Sequence, residues 1–271
     1  MNSVISILKE QKKSLYLIKR LSIFQLKSNN NNNYLGMAWE VINPIIQLGI
    51  YWFVFGIGIR GGEGIDGVPF VYWLSTGLFA WFFFNTATMD GAKSINSRLN
   101  LISKMNFPIS AIPSFVILSA FYQHLILGVV LILIFILSGQ GLSIHLLQLP
   151  YYMFALVSLV FSLTLISSTL TTIVRDIQAG LRSIIRMFLY LTPILWSTDR
   201  LPESMRHLVE TVLKINPLFY VVEGYRNAFL GNGWFYEDTG YTLYFWIMVI
   251  TMFIAGAMLH MKFKKNFVDY I

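Results

Sequence analysis

The sequence predicts an all-α protein that threads a lipid bilayer six times, and three observations carry that reading. Of its 271 residues, 56% are hydrophobic and only 12% are charged, about half the share of charge in an average soluble domain, roughly 25%. From Met105 to Val174 no Lys, Arg, Asp or Glu occurs in 70 consecutive residues; no water-facing surface can be built from such a run. The third observation is where the remaining charge lies, because Lys and Arg gather in the segments that six crossings leave on one side of a membrane.

Residues 1–33 come first. Ile5, Leu8, Leu15, Leu17, Ile18, Leu21 and Phe24 recur at roughly helical spacing, with Lys9, Lys12, Lys13, Lys19 and Arg20 interleaved. A cleavable signal needs an uninterrupted apolar run and a small-residue cleavage site. The mixed pattern instead predicts an amphipathic helix lying along the inner membrane surface, closed by the uncharged turn Asn29 to Asn33.

Residues 34–271 form the transmembrane domain. A helix needs about 20 mainly apolar residues to cover the roughly 30 Å hydrocarbon layer. Uncharged windows of that length lie at 41–59 and 67–89, then at 109–137 and 149–173 with a break at Ser138-Gly139-Gln140-Gly141, and finally at 239–261. A sixth window, 177–196, carries Arg182 and Arg186 and is broken by Pro193, so charge decides it. With six crossings and both termini in the cytoplasm, 15 basic residues lie inside and 5 outside, while 8 acidic residues lie outside and 4 inside, with Glu40 at a boundary. Five crossings put the basic C-terminus outside and break the positive-inside bias. Arg182 and Arg186 then sit near the inner end of a tilted helix, stems in the apolar zone and heads among phosphates.

Between the second and third crossings, Asp90 to Lys104 places Ile95, Leu99 and Ile102 at i, i+4 and i+7. This predicts a short helix with one apolar stripe, able to dock into a partner's groove or simply to connect two crossings at the headgroups. On the other side, Ser197 to Gly240 is far longer than a turn and contains the apolar island Ile215 to Val222 with Asn216-Pro217. Eight residues cannot span the bilayer, so a re-entrant excursion is expected, its backbone groups facing protein or a water-filled path. If the following segment is helical, Glu223 and Arg226 share a face. Arg175-Asp176 lies between crossings four and five, where Asp176 can accept from a helix start. Glu40 precedes Asn43-Pro44 at the entry of crossing one. Each of these charges is more simply read as a local structural pair than as a gating or substrate contact.

Aromatic residues are dense in Tyr51-Trp52-Phe53, Tyr72-Trp73 and Phe79 to Phe84, and Tyr190 and Trp196 flank Pro193. Most such rings face lipid or pack between helices; a subset lining a path would present flat faces to sugars. There is no cysteine, no glycine loop followed by Lys-Ser or Lys-Thr, no HExxH and no GxSxG. The four histidines are scattered, and His124, central in the uncharged run, is the one to examine. Without a nucleotide site the chain cannot use ATP alone. The basic residues are accounted for by membrane orientation, which leaves no case for nucleic acid.

Taken in order, Tyr34 to Pro44 (YLGMAWEVINP), Ser103 to Pro108 (SKMNFP), Val174-Arg175-Asp176, Tyr190 to Trp196 (YLTPILW), Asn216 to Tyr220 (NPLFY) and Glu223 to Arg226 (EGYR) resemble the permease subunits of polysaccharide exporters in the ABC-2 class, across essentially the whole chain. Among these the likeness is to wall teichoic acid export permeases, with O-antigen and capsule exporters as related members. The resemblance implies a type V exporter fold with an N-terminal interfacial helix and external re-entrant helices, in a Gram-positive cell membrane. It implies two copies of the chain, each bound to a separate ABC ATPase that uses ATP and Mg, and no cofactor or metal on the chain itself. Leu8, Lys12, Leu15 and Lys19 then belong to a gate helix, and Lys93, Ile95, Arg98, Leu99, Ile102 and Lys104 to the coupling element. The substrate would be a polymer on undecaprenyl diphosphate. Arg175, Asp176, Arg182 and Arg186 are candidates for its headgroup, Trp52, Phe53, Trp73, Trp81, Phe84, Tyr190 and Trp196 for its sugars, and Asn216, Pro217, Glu223 and Arg226 for the external re-entrant region. A small-lipid or drug exporter of the same class, a secondary carrier and a membrane scaffold are the competing readings.

Overall fold

A computed structural model describes residues 2–30, 34–99, 108–174, 176–264 and 267. These fold almost entirely as helix: α1 Asn2–Asn30, α2 Trp39–Tyr51, α3 Phe70–Lys93, α4 Ala111–Leu137, α5 Leu149–Ile173, α6 Ile177–Leu191, α7 Glu203–Ile215, α8 Pro217–Leu230 and α9 Thr239–Phe263. A wider-wound segment, Trp52–Ile59, prolongs α2.

Local chemistry fixes several ends. The Asn216 side chain accepts from the backbone N–H of Leu218 at 3.0 Å and Pro217 follows at the first helical position, so α8 starts there. It stops at Gly231, whose φ of +84° is the left-handed conformation that closes a helix without a Cβ penalty. Asp238 caps α9 by accepting from the backbone N–H of Tyr241 at 3.0 Å.

The protein is a multi-pass membrane bundle. Among the described residues four helical segments are long and apolar enough to cross a bilayer: Gly36–Ile59, Ala111–Leu137, Ile144–Ile173 and Thr239–Phe263. The windows 67–89 and 177–196, expected as crossings, are not among them, for different reasons. Helix α3 has the length, but Ser75, Thr76, Asn85, Thr86, Thr88 and Asp90 dilute its apolar content. It tolerates them because it is the central helix, most of it buried against α4, α5, α6 and α8. Helix α6 has 15 residues, about 22 Å at 1.5 Å per residue. It ends at Leu191 because Thr192 turns extended ahead of Pro193.

The N-terminal helix lies on the bundle with a different face from the one its apolar residues suggest. Ile7, Ser14, Ile18, Ser22 and Leu26 are buried, whereas Leu8 and Leu15 are exposed, as are Lys12 and Lys19. Polar groups hold this contact. Gln11 donates to the Ser110 carbonyl at 2.7 Å and accepts from the Ser114 hydroxyl at 2.8 Å, and Lys264 pairs with Glu10 at 2.8 Å. A search for apolar periodicity misses a docking face in which Ile7, Ile18 and Leu26 alternate with Gln11, Ser14 and Ser22.

The segment expected as a short helix, Asp90 to Lys104, begins within α3 and passes beyond the described residues after Leu99. Helix α3 runs unbroken to Lys93, a 3-10 turn, Asn96–Arg98, follows, and Leu99 is again helical. Ile95 and Leu99 are buried against this chain's own Ile18, Ile112, Phe115 and Phe267, so that apolar pair already has its cover. Ile102 and Lys104 lie outside the described residues. The island 215–222 likewise divides: Ile215 ends α7 exposed, while Leu218 to Val222 are buried in α8.

Candidate functional site

Helix α8 is wedged into the end of the bundle that carries α7, packed on α3 and α5. Two glycines permit the fit. A Cβ on Gly224 would lie 2.0 Å from Cε1 of Tyr152, and one on Gly77 would lie 2.8 Å from Nη2 of Arg226. Arg226 is the anchor, with its side chain 2% exposed. Its Nη1 meets Glu223 Oε1 at 2.5 Å, its Nη2 donates to the Pro193 carbonyl at 2.6 Å, and its guanidinium carbon sits 3.4 Å from the centroid of the Trp73 ring. One side chain therefore ties α8 to α3 and to the break after α6. Asn216 adds a second tie, donating to Thr192 Oγ1 at 2.8 Å. His124 does the same from α4: it lies 2.9 Å from the Tyr225 hydroxyl and stacks on Phe79 at 4.0 Å, which makes it a packing residue between α4 and α8.

Above α8 lies a cavity of about 510 Å³. Helix α7 walls one side with Arg206, Glu210 and Lys214; the approach to α9 walls another with Trp234, Phe235, Asp238 and Tyr241; Asp66, Ser197 and Asp199 complete the rim. Trp73, Tyr152, Tyr220 and Asn227 line its floor. Its lining holds five carboxylates, Asp66, Asp199, Glu210, Glu223 and Asp238, against three cationic groups, Arg206, Lys214 and Arg226.

Two of these carboxylates, Asp199 and Asp238, are held below their ordinary value. Burial would raise the Asp199 carboxyl, but its hydrogen bonds with Arg60 and Ser197 and the Arg60 charge outweigh that and bring it below its ordinary value. The backbone N–H of Tyr241, joined by Lys214, lowers Asp238 in the same direction. The cations are engaged too: Lys214 pairs with Asp238 at 3.1 Å, and Arg206 donates to the carbonyls of Thr198 and Asp199 at 3.2 and 2.7 Å. Arg60, buried, joins Asp199 at 2.5 Å, and Arg200 joins Glu63 at 2.6 Å, so the α2–α3 connection is stapled to the segment before α7.

The expected ring residues do not gather in one place. Trp73 lines this cavity; Trp81 and Phe84 are buried in the core; Trp52, Phe53 and Tyr190 are exposed on the bundle's flank, and Trp196 is half-buried and donates to the Tyr190 carbonyl at 2.7 Å. Tyr152, Tyr220, Trp234, Phe235 and Tyr241, which sequence reasoning did not single out, supply most of the rings here. Trp234 and Phe235 belong to the run Trp234-Phe235-Tyr236, a local density that could have marked them, whereas Tyr152, Tyr220 and Tyr241 are spread along the chain.

At the α1 end, a polar cavity of about 310 Å³ lies between α1, α3 and α4, lined in part by Gln25, Asp90, Lys93, Arg98 and Gln123. Arg98 donates to Gln25 at 2.7 Å and to the Ser94 carbonyl at 3.0 Å, and lies over the Phe115 ring at 5.0 Å; burial lowers its pKa against the pull of Asp90. Lys93 pairs with Asp90 at 2.8 Å. Asp176, Arg182 and Arg186 are exposed along α6, and Arg175 lies outside the described residues. Among the described residues no cluster of three or more His, Asp or Glu side chains suits a metal ion.

The pattern of the ABC-2 type transporter family matches residues 16–230. The O-antigen export system permease protein RfbA of Klebsiella pneumoniae is 26% identical to this chain over 91% of each sequence, and a second protein of that name from the same organism is also 26% identical over 91% of each. The O-antigen export system permease protein RfbA of Myxococcus xanthus is 24% identical over 76% of each.

Proposed function

Because this chain belongs to the ABC-2 type transporter family, we propose that it is the membrane subunit of an ATP-driven exporter that moves a lipid-linked polysaccharide from the cytoplasmic to the external side of a bacterial cell membrane. In this reading it is a permease without chemistry of its own, ATP hydrolysis being the work of a separate ATPase. The observation that carries the substrate class is the likeness to O-antigen export permeases over 91% of the chain. Wall teichoic acid is the narrower reading of the sequence, and these relatives favour the broader one.

In this reading the chain crosses six times, through α2, α3, α4, α5, α6 and α9. Helix α6 is completed by the Thr192 to Trp196 segment, and the exposed Arg182 and Arg186 snorkel to the inner headgroups. The α1 end then lies in the cytoplasm and the α7–α8 end outside. Two copies form the membrane core, and each binds one ABC ATPase. Arg182 and Arg186, with Arg175, attract the diphosphate of an undecaprenyl carrier, while Trp52, Phe53 and Tyr190, exposed on the flank, meet the sugars. ATP binding draws the ATPases together and pushes the turn after α3. The Arg98–Gln25 bond passes that push to α1, and the two membrane states differ in affinity for the headgroup.

The test is translocation in proteoliposomes holding the permease and its ATPase. Undecaprenyl-diphosphate-linked mannan is expected to reach an external lectin only with ATP. Lys93→Glu and Arg98→Glu are expected to reduce substrate-stimulated ATP hydrolysis while leaving membrane insertion unchanged. Translocation without the ATPase, or turnover stimulated by small amphiphiles and never by the lipid-linked glycan, refutes the reading in favour of a carrier or a small-lipid exporter.

A further inference from the structure

We propose that the 510 Å³ cavity above α8 is a sugar-holding site that accepts uncharged pyranose rings of the exported chain and excludes a polyol-phosphate chain. The inference rests on the proposed export function and adds a substrate class and a place to it. The volume lies within the roughly 300–1,000 Å³ typical of small-molecule sites.

Charge decides the class. Five carboxylates face three cations here, and each cation is already engaged: Arg226 by Glu223 and two carbonyls, Lys214 by Asp238, and Arg206 by two carbonyls. An entering phosphodiester group would bring further negative charge and only acceptor oxygens to a lining in which carboxylates outnumber cations. A sugar hydroxyl donates as well as accepts, so it satisfies carboxylates such as Glu210 and Asp66 without adding charge. The Asn227 amide on the floor offers both a donor and an acceptor to the same hydroxyls.

Ring faces supply the apolar half of the recognition. Trp234 is half-buried, packed at 4.7 Å on His145 and at 6.0 Å, nearly parallel, on Tyr236, and it lines the cavity. Braced by these two rings, Trp234 offers the cavity an apolar aromatic surface on which the C–H face of a pyranose can pack. The site is built from rim carboxylates and single rings, with no deep slot. That suits a chain in transit, which has to be held weakly enough to leave.

The experiment uses the intact permease–ATPase complex in lipid nanodiscs, with saturation-transfer NMR and calorimetry on two probes of matched length, mannotetraose and a glycerol-phosphate tetramer. Mannotetraose is expected to bind and the phosphate oligomer is not. Trp234→Ala is expected to weaken mannotetraose at least tenfold. Glu210→Lys, on the half-buried wall of α7, is expected to weaken mannotetraose less and to admit the phosphate oligomer, which keeps a test available if Trp234→Ala fails to fold. Equal or tighter binding of the phosphate oligomer to the unaltered complex overturns the proposal, as does full mannotetraose affinity in a folded Trp234→Ala complex. If ATP-driven translocation of the lipid-linked mannan persists while mannotetraose shows no binding, this inference fails and the export function stands. If binding is present and ATP-driven translocation is absent, the export function fails.

Discussion

Replacing Arg226 by methionine keeps most of the side-chain length and removes every polar tie that the guanidinium makes. Breaking a buried ion pair costs about 3–5 kcal/mol when the surviving charge is left without compensation. Here the survivor, Glu223, has a side chain 36% exposed and can regain water, so its part falls towards the roughly 1 kcal/mol of a surface pair. The carbonyls of Pro193 and Ile194, both in buried residues, lose their donor, at about 1–3 kcal/mol for each group left unsatisfied. The contact with Trp73 at 3.4 Å is of the desolvated kind, about 2 kcal/mol, of which the thioether returns roughly 0.3–1.5 kcal/mol. Removing the buried charge offsets part of these losses. The expected net loss is about 3 kcal/mol, read by unfolding in mixed micelles, where the reference state keeps its helices and the transition reports the docking of α8. Arg226→Lys, which keeps the charge without the fork, should fall between. A cycle with Glu223→Gln should assign about 1 kcal/mol to the pair. If Arg226→Met stays within about 1 kcal/mol of the parent and matches Arg226→Lys, the guanidinium is not the anchor of α8.

Two further perturbations test the other contacts. Gly224→Ala places a Cβ 2.0 Å from the Tyr152 ring, and overpacking of this kind costs about 1–3 kcal/mol; thermal unfolding should show the loss, and adding Tyr152→Leu should restore most of it. Gln11→Leu removes both hydrogen bonds that seat α1 on α4, about 1–3 kcal/mol together, so amide exchange across α1 should accelerate about ten- to a hundredfold. Unchanged exchange would mean that Ile7, Ile18 and Leu26 hold the helix without them.

Some of this molecule is written locally. Long uncharged runs are enough to place α2, α4, α5 and α9, because nothing else satisfies the backbone in lipid. Asn216-Pro217 marks the start of α8 by chemistry within three residues, and Glu223 and Arg226 meet because helical spacing puts them there. Orientation is another matter. In water an apolar stripe names the buried face, but a membrane helix is apolar towards lipid and towards its neighbours alike. The sequence therefore could not say that α3, more polar than α4, α5 and α9, occupies the centre, or that Ile7, Gln11, Ser14 and Ile18 rather than Leu8 and Leu15 seat α1. The cavity above α8 is further still from local pattern. Its walls come from residues near 66, 197–214, 219–227 and 234–242, which share no motif and become neighbours only because Arg226 fastens α8 beneath them. Composition and charge determined that the chain lives in the membrane. The close approaches at Gly77 and Gly224, and the pairing of a few buried polar groups, decided which of its surfaces face one another.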